Sequence, residues 1–98
     1  MTTKPIVDFN FDTYKSEAGE PFAFVHQGKR HEIKPLTELP GLKFFENALR
    51  GDAYATLEIL KQALPEDIYD DLRDAPLSHI TAFMEAYTAH AGLTPEGN

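Results

Sequence analysis

The sequence has no cysteine and no tryptophan among its 98 residues. Without cysteine, the chain has no disulfide framework, no thiolate ligand for zinc and no thiol nucleophile. Its longest uninterrupted apolar stretch falls far short of the about 20 residues that a membrane-spanning helix needs. The N-terminus, Met1-Thr2-Thr3-Lys4-Pro5, is not followed by the apolar segment of an export signal. We therefore expect the protein to stay in the compartment where it is made.

Basic residues are also scarce, since nine Lys and Arg stand against 16 Asp and Glu, for a formal net charge of −7. This balance argues against sequence-independent binding to nucleic acid, which needs a basic surface, and against binding to an anionic membrane. The length corresponds to a single domain. We expect that domain to span residues 9–92, between a flexible N-terminus at 1–8 and a flexible C-terminal tail at 93–98.

The negative charge is concentrated in the second part of the chain. Residues 1–34 carry equal numbers of acids and bases, whereas residues 35–98 carry 11 acids and four bases. The densest run, here called the acidic segment, comprises Glu66, Asp67, Asp70, Asp71 and Asp74. Such a run is usually a solvated helical face that aids solubility. The alternative is a docking surface for a basic partner, or a mimic of nucleic-acid phosphates.

Residues 21–34 have the clearest β pattern, because Phe22, Phe24 and His26 alternate with other side chains. Gly28-Lys29 stands where a two-residue type II′ turn would fall. That turn places His26 opposite His31, Val25 opposite Glu32 and Phe24 opposite Ile33. A lone hairpin is marginal in water, so its aromatic face must pack on the rest of the chain. For residues 8–18 the pattern is mixed, and we predict a short helical turn that Asp12 could cap.

The remainder is helical and is divided by proline and glycine. Apolar stripes predict helices over residues 42–49, 53–64 and 79–91, with a short helix between the last two. Asp52 and Ser78 are suitable N-caps, and Pro65 can begin a turn. The predicted fold is mainly α (α+β), with an N-terminal β-hairpin followed by about four short helices in a compact bundle. Because short, tightly connected helices cannot each bury their apolar face, we expect an exposed apolar groove or self-association.

No arrangement of side chains indicates catalysis. Opposed His26 and His31 would supply two zinc ligands where three or four are needed. The run from Asp67 has Leu72 where a calcium loop requires glycine. No glycine-rich phosphate loop and no serine motif are present. We therefore predict a non-enzymatic protein with no cofactor and no metal site.

The order of features along residues 9–94 resembles the small tail assembly chaperones of long-tailed, siphovirus-type bacteriophages, especially those of actinobacterial hosts. The features that carry this resemblance are, in order, Phe9-Asn10-Phe11-Asp12-Thr13-Tyr14, Gly19-Glu20-Pro21-Phe22, the hairpin with Gly28-Lys29, the connector from Lys34 to Pro40, Gly51-Asp52 before Leu57, Leu60 and Leu64, Pro76-Leu77-Ser78, Tyr87, and His90-Ala91-Gly92-Leu93.

The resemblance implies a chaperone that binds and solubilises the tape measure protein and promotes tail tube polymerisation around it. It implies the tape measure and tail tube proteins as partners. It also implies a longer form of the chain, made by ribosomal frameshifting, whose extension would start near the C-terminal tail. It also implies action in the host bacterial cytoplasm and absence from the mature virion. A homo-oligomer is an open alternative, and neither nucleic acid nor membrane is an expected partner.

Partner contacts are predicted on the helical apolar stripes, where an amphipathic helix of the client would dock. The predicted contact residues are Phe44, Phe45, Tyr54, Ile68, Tyr69, Met84 and Tyr87, and the alternative for each is ordinary core packing. A competing function is that of an acidic interaction protein, either a nucleic-acid mimic or an inhibitor of a basic host factor.

Overall fold

A computed structural model describes residues 9–14 and 19–92 of the chain. The described part begins with a two-stranded antiparallel sheet, β1 (Phe22–His26) and β2 (Lys29–Ile33). Four α-helices follow: α1 (Gly41–Ala48), α2 (Asp52–Ala63), α3 (Glu66–Asp71) and α4 (Leu77–His90). Two 3-10 turns, Leu36–Glu38 and Leu72–Asp74, precede α1 and follow α3. The predicted α+β fold, a hairpin followed by four helices, is thus confirmed.

The predicted hairpin turn is wrong by one position. Gln27 and Gly28, with φ of 52° and 76°, form the two-residue loop, and two positive φ values are typical of a type I′ turn. The register pairs Phe22 with Ile33, Phe24 with His31 and His26 with Lys29. The predicted register would have placed Pro35 opposite Phe22, where proline has no N–H to donate to the ladder.

This change moves each partner by two residues, so every side chain keeps its predicted face. Ile33 is buried and Phe22 and Phe24 are half-buried, whereas Ala23 and Val25 on the other face are exposed. The aromatic face packs against α4, where Phe83 makes edge-to-face contacts with both phenylalanines of the strand.

The core lies between this face, α2, α3 and α4. Its centre is Tyr87, which is fully buried and contacts the rings of Phe22 and Phe83. The Tyr87 hydroxyl donates a hydrogen bond to the Lys34 carbonyl and so links α4 to the end of β2. The other large apolar residues buried in this cluster are Ile33, Ile59, Leu60, Leu64 and Ile68.

Three of the four helices begin directly after a proline. Pro40, Pro65 and Pro76 precede α1, α3 and α4, in keeping with the fixed φ of proline at helix starts. The predicted cap at Ser78 is wrong, because the Pro76 carbonyl already accepts the N–H of His79 at 2.9 Å. Asp52 is likewise the first residue of α2 rather than its cap, since the Gly51 carbonyl accepts from Ala55.

At the N-terminal side, Asn10 forms a turn with the residues that follow it. Its carbonyl accepts the N–H groups of Thr13 and Tyr14, and its Oδ1 accepts from Asp12 N at 2.8 Å. Asn10, not the predicted Asp12, therefore caps this turn. Residues 15–18, together with the predicted flexible ends at 1–8 and 93–98, lie outside the described residues.

Candidate docking surfaces

The first apolar surface, the α1 cleft, lies between α1, the connector before it and α2. It has a volume of about 190 Å³. Phe44 and Phe45 of α1 line it and are both exposed. The other lining residues are Leu36, Thr37, Leu39, Pro40, Gly41, Asn47, Ile59 and Gln62.

The apolar stripe of α1 extends this surface into solvent. Leu42 is 79% exposed, and Leu49, directly after the helix, is 90% exposed. No residue of α1 is buried. Helix α1 has only eight residues. Its contact with α2 therefore covers one side of the helix and leaves the predicted apolar stripe uncovered.

The second apolar surface, the α2–α4 groove, lies on the other side of α2 and has a volume of about 430 Å³. Leu57 and Leu77 stand at its edges, 48% and 77% exposed. Leu60, Leu64, Tyr69, Leu72, Arg73, Ala75 and Ile80 line the remainder. Helix α2 is thus a shared wall, since Ile59 and Gln62 face the α1 cleft while its leucines face the groove.

The acidic segment lies on α3 and the 3-10 turn after it. Two of its residues, Glu66 and Asp70, line a depression next to the α2–α4 groove together with Lys61 and Arg73. All five of its carboxylates are exposed. Asp70 pairs with Arg73 at 3.3 Å, and Asp71 Oδ2 lies 3.4 Å from His26 Nε2 of the hairpin. The remaining three, Glu66, Asp67 and Asp74, have no ion pair among the described residues and leave the segment strongly negative.

Basic side chains instead border the α1 cleft. Lys34 and Lys43 line a neighbouring depression together with Glu38. This depression shares Leu39, Pro40 and Gln62 with the cleft. Neither lysine forms an ion pair within the part of the chain that the structure describes. The depression beside the α1 cleft therefore has a net positive charge, whereas acids and bases are equal in number in the depression beside the α2–α4 groove.

The predicted contact residues are divided between these surfaces and the core. Phe44 and Phe45 lie in the α1 cleft, and the half-buried Tyr69 lines the α2–α4 groove. Tyr54 is exposed on α2, where its hydroxyl accepts a hydrogen bond from Arg50 at 3.1 Å.

Three of the predicted residues are core residues to different degrees. Ile68 is 3% exposed and Tyr87 is fully buried, so neither can contact a partner in this fold. Met84 is half-buried and packs against the core cluster. The periodicity that suggested contact at these positions reflects packing inside the chain.

Leu42, Leu49, Leu57 and Leu77 are exposed apolar residues that sequence reasoning did not select. All four occupy helical stripes that also predict core residues, so the stripe alone does not reveal their exposure. The sequence offers one signal for this exposure, which is the position of a leucine close to the proline or glycine at a helix end. Leu77 directly follows Pro76, and Leu49 lies two residues before Gly51, at ends where a helix has few neighbours.

The titratable groups form no reactive centre in the described ranges. His26 faces Lys29 rather than His31, whose ring stacks on Phe24. No group of three His, Cys, Asp or Glu side chains in residues 9–14 and 19–92 is close enough to hold a metal ion. Burial raises the pKa of the Tyr87 hydroxyl to about 12. That hydroxyl donates its hydrogen bond to the Lys34 carbonyl inside the core, so its role is to stabilise the fold.

The described residues form a small α+β domain in which the α1 cleft and the α2–α4 groove are open to solvent. None of the helices in the described residues is long and apolar enough to cross a membrane. Comparison of the chain with known protein families, curated proteins and solved structures finds no match. Its function must therefore be argued from its own residues.

Proposed function

We propose that the protein is a bacteriophage tail assembly chaperone. It binds and solubilises the tape measure protein and promotes tail tube polymerisation around it. The observation that carries this proposal is the α2–α4 groove, an open apolar channel next to the helix that carries the acidic segment. The sequence resemblance over residues 9–94 supports the same function.

The groove has the shape and chemistry for an amphipathic helix. Two helices form its walls, and Leu57 and Leu77 at its edges can contact an inserted apolar stripe. Recognition of this kind relies on apolar side chains spaced at one helical turn in the bound segment. The tape measure protein, a long and largely helical chain, offers such segments in succession.

The acidic segment has a separate role in this proposal. Residues 66–98 carry seven acids and one base, so a chaperone–client complex would keep a strong like charge on its outer side. Net charge of one sign opposes aggregation of such complexes. Basic residues beside the client's apolar stripe would in addition be attracted to Glu66, Asp67 and Asp74.

Other partners belong to the same proposal. The tail tube protein would meet the complex as the tube grows, and a frameshifted longer form would extend the chain beyond its C-terminus. Chaperoning of this kind needs no cofactor and takes place in the host cytoplasm before the particle is complete. We propose no enzymatic step.

Coexpression with a helical tape measure fragment tests the proposal. We expect the chain to raise the soluble yield of the fragment several-fold, and the complex to survive added salt because apolar contact dominates it. The double variant Leu57→Ser/Leu77→Ser should abolish this rescue while remaining folded. The control is Val25→Ser, at an apolar residue that is 70% exposed on the outer face of the hairpin.

Two results would count against the chaperone proposal. If the unaltered chain rescues no tape measure fragment, the function is wrong. If rescue occurs and the Leu57→Ser/Leu77→Ser variant retains it, the function holds and the groove is the wrong site.

A second function is favoured by the acidic segment, whose five exposed carboxylates lie on one short stretch of helix. An acidic interaction protein, a nucleic-acid mimic or an inhibitor of a basic factor, would use these charges directly. Its complex should weaken steeply between low and high salt, because exposed charge pairs are screened. The variant Asp67→Asn/Asp74→Asn should then remove binding, whereas it should leave an apolar complex nearly intact.

A further inference from the structure

Two exposed apolar features of the described residues have opposite charge and could bind each other. One is the α1 cleft. The other is the group of aromatic side chains on residues 9–14, here called the aromatic turn. We propose that the aromatic turn of one copy of this chain binds the α1 cleft of a second copy. Reciprocal exchange of the two turns then forms a symmetric dimer.

The aromatic turn is a preformed, exposed ligand. Phe9, Phe11 and Tyr14 are 63%, 87% and 63% exposed. Their rings contact one another, with centroids 4.8 Å apart for Phe9 and Phe11 and 5.4 Å apart for Phe9 and Tyr14. Since the hydrogen bonds to Asn10 already fix the backbone, less conformational freedom is lost when these rings are buried.

The α1 cleft has the dimensions and lining that an aromatic ring requires. Its volume is about 190 Å³, and a cavity of roughly 150 Å³ is sufficient to bind benzene. Its two phenylalanines, Phe44 and Phe45, lie with their ring centroids 5.3 Å apart in an edge-to-face arrangement. Aromatic pairs of this geometry contribute beyond the area that they bury, so an inserted ring would extend an existing cluster.

Charge favours this pairing over insertion of the turn into the α2–α4 groove. Asp12 is the only charged residue among residues 9–14, so the turn is negative. Lys34 and Lys43 border the α1 cleft with Glu38 and leave a net positive charge there. The α2–α4 groove offers Asp12 no such partner, because Arg73, the one charged residue of its lining in the described residues, is already paired with Asp70.

The area involved agrees with a weak dimer. An aromatic side chain buries about 150–250 Å². The cleft has room for one ring, so Phe11, the most exposed of the three at 87%, would bury roughly 130–220 Å² in each of the two contacts. With a similar area from the two clefts, the interface reaches about 500–900 Å², the size of a weak, reversible contact. Reciprocal exchange also closes the assembly at two copies, as an isologous interface does.

Sedimentation equilibrium of the full chain without client tests this proposal. We expect a monomer–dimer equilibrium in the unaltered protein. Phe11→Ser in the turn and Phe45→Ser in the cleft should each raise the dimer dissociation constant at least about thirtyfold, the effect of losing one central aromatic contact. Val25→Ser, at an exposed apolar residue on the outer face of the hairpin, should leave it unchanged, and circular dichroism should confirm that all variants are folded.

Photocrosslinking then shows whether the aromatic turn binds the α1 cleft of a second copy or the cleft of its own chain. A photoreactive phenylalanine analogue at position 11 is introduced into a mixture of isotopically light and heavy copies. We expect crosslinked peptides that join a light chain to a heavy chain and end within residues 36–45. Crosslinks confined to single chains would overturn the proposal, as would a monomer at every concentration or a dimer that tolerates Phe11→Ser. Since no client is present, these results are independent of tape measure rescue.

Discussion

The hairpin and α4 bury their apolar faces against each other, whereas α1 leaves most of its apolar face in solvent. Phe22 and Phe24 of β1 meet Phe83 of α4, and Tyr87 is enclosed between them and α2 and α3. By contrast, Leu42 and Leu49 project from the α1 region with almost no cover. Both regions have amphipathic sequences, so amphipathicity alone does not distinguish core from docking surface.

The difference has a physical origin in the length and position of the elements. Helix α4 has 14 residues and contacts the hairpin through Phe83, Tyr87 and His90, while α1 has eight residues and packs against α2 and the connector. A stripe becomes core only when a neighbour is long enough to cover it. We expect the two regions to respond very differently to substitution.

The largest effect is expected at Tyr87. Replacing it by alanine removes a fully buried aromatic ring, and we expect a loss of about 3–5 kcal/mol in the free energy of unfolding. Urea denaturation followed by circular dichroism measures this loss. The matched control is Tyr54→Ala on the exposed side of α2, which should cost less than about 1 kcal/mol. Similar losses for the two tyrosines would contradict the assignment of the core.

A smaller, pH-dependent effect is expected for the Tyr87 hydroxyl alone. Burial raises its pKa to about 12, from about 10 in the unfolded chain. The folded state therefore holds the hydroxyl proton more tightly than the unfolded chain does. The contribution of this proton to the free energy of unfolding is fully present below pH 10. As the pH rises from 10 towards 12, the free energy of unfolding should fall by on the order of 2 kcal/mol.

The variant Tyr87→Phe shows how much of the alkaline loss of stability comes from ionisation of the Tyr87 hydroxyl. At neutral pH it loses the hydrogen bond to the Lys34 carbonyl, which costs about 1 kcal/mol. In alkaline solution it should lack the additional fall of about 2 kcal/mol, so near pH 12 it should be the more stable of the two proteins by about 1 kcal/mol. Tyr54→Phe serves as the control, and an equal alkaline fall in Tyr87→Phe would show that another group titrates.

The smallest effect on stability is expected for the α1 stripe. Replacing Leu42 and Leu49 with glutamine keeps helix propensity and removes only exposed apolar surface, so unfolding should change by less than about 0.5 kcal/mol. Binding of a hydrophobic dye should fall at the same time. The same change at the buried Leu60 should destabilise strongly, and a comparable loss at Leu42 and Leu49 would show that α1 is covered.

Much of the fold could be predicted from local signals. Prolines at positions 40, 65 and 76 mark the helix starts, and the spacing of Ile80, Phe83 and Tyr87 predicts α4. The hairpin face was also predicted. The turn was not, because Gly28 can occupy either central position of a two-residue loop. Only the requirement that Pro35 lie beyond the ladder decides between them.

The candidate docking surfaces were predicted less well. Phe44 and Phe45 were selected and lie in the α1 cleft, whereas Ile68 and Tyr87 were selected for the same reason and are buried. Leu57 and Leu77 were not selected, although they form the edges of the α2–α4 groove. Apolar identity and periodicity are the same in all these cases, and the number of neighbours differs.

The sequence by itself determined the elements, their order, and the concentration of acids in the second half of the chain. These properties depend on propensity, on proline and glycine, and on composition, which act within a few residues of one another. Only the tertiary structure decided which apolar stripes are core and which remain open. That outcome depends on contacts between segments that are distant in the sequence, such as the hydrogen bond from the Tyr87 hydroxyl to the Lys34 carbonyl. A local sequence pattern cannot predict such contacts, because it contains only one of the two segments.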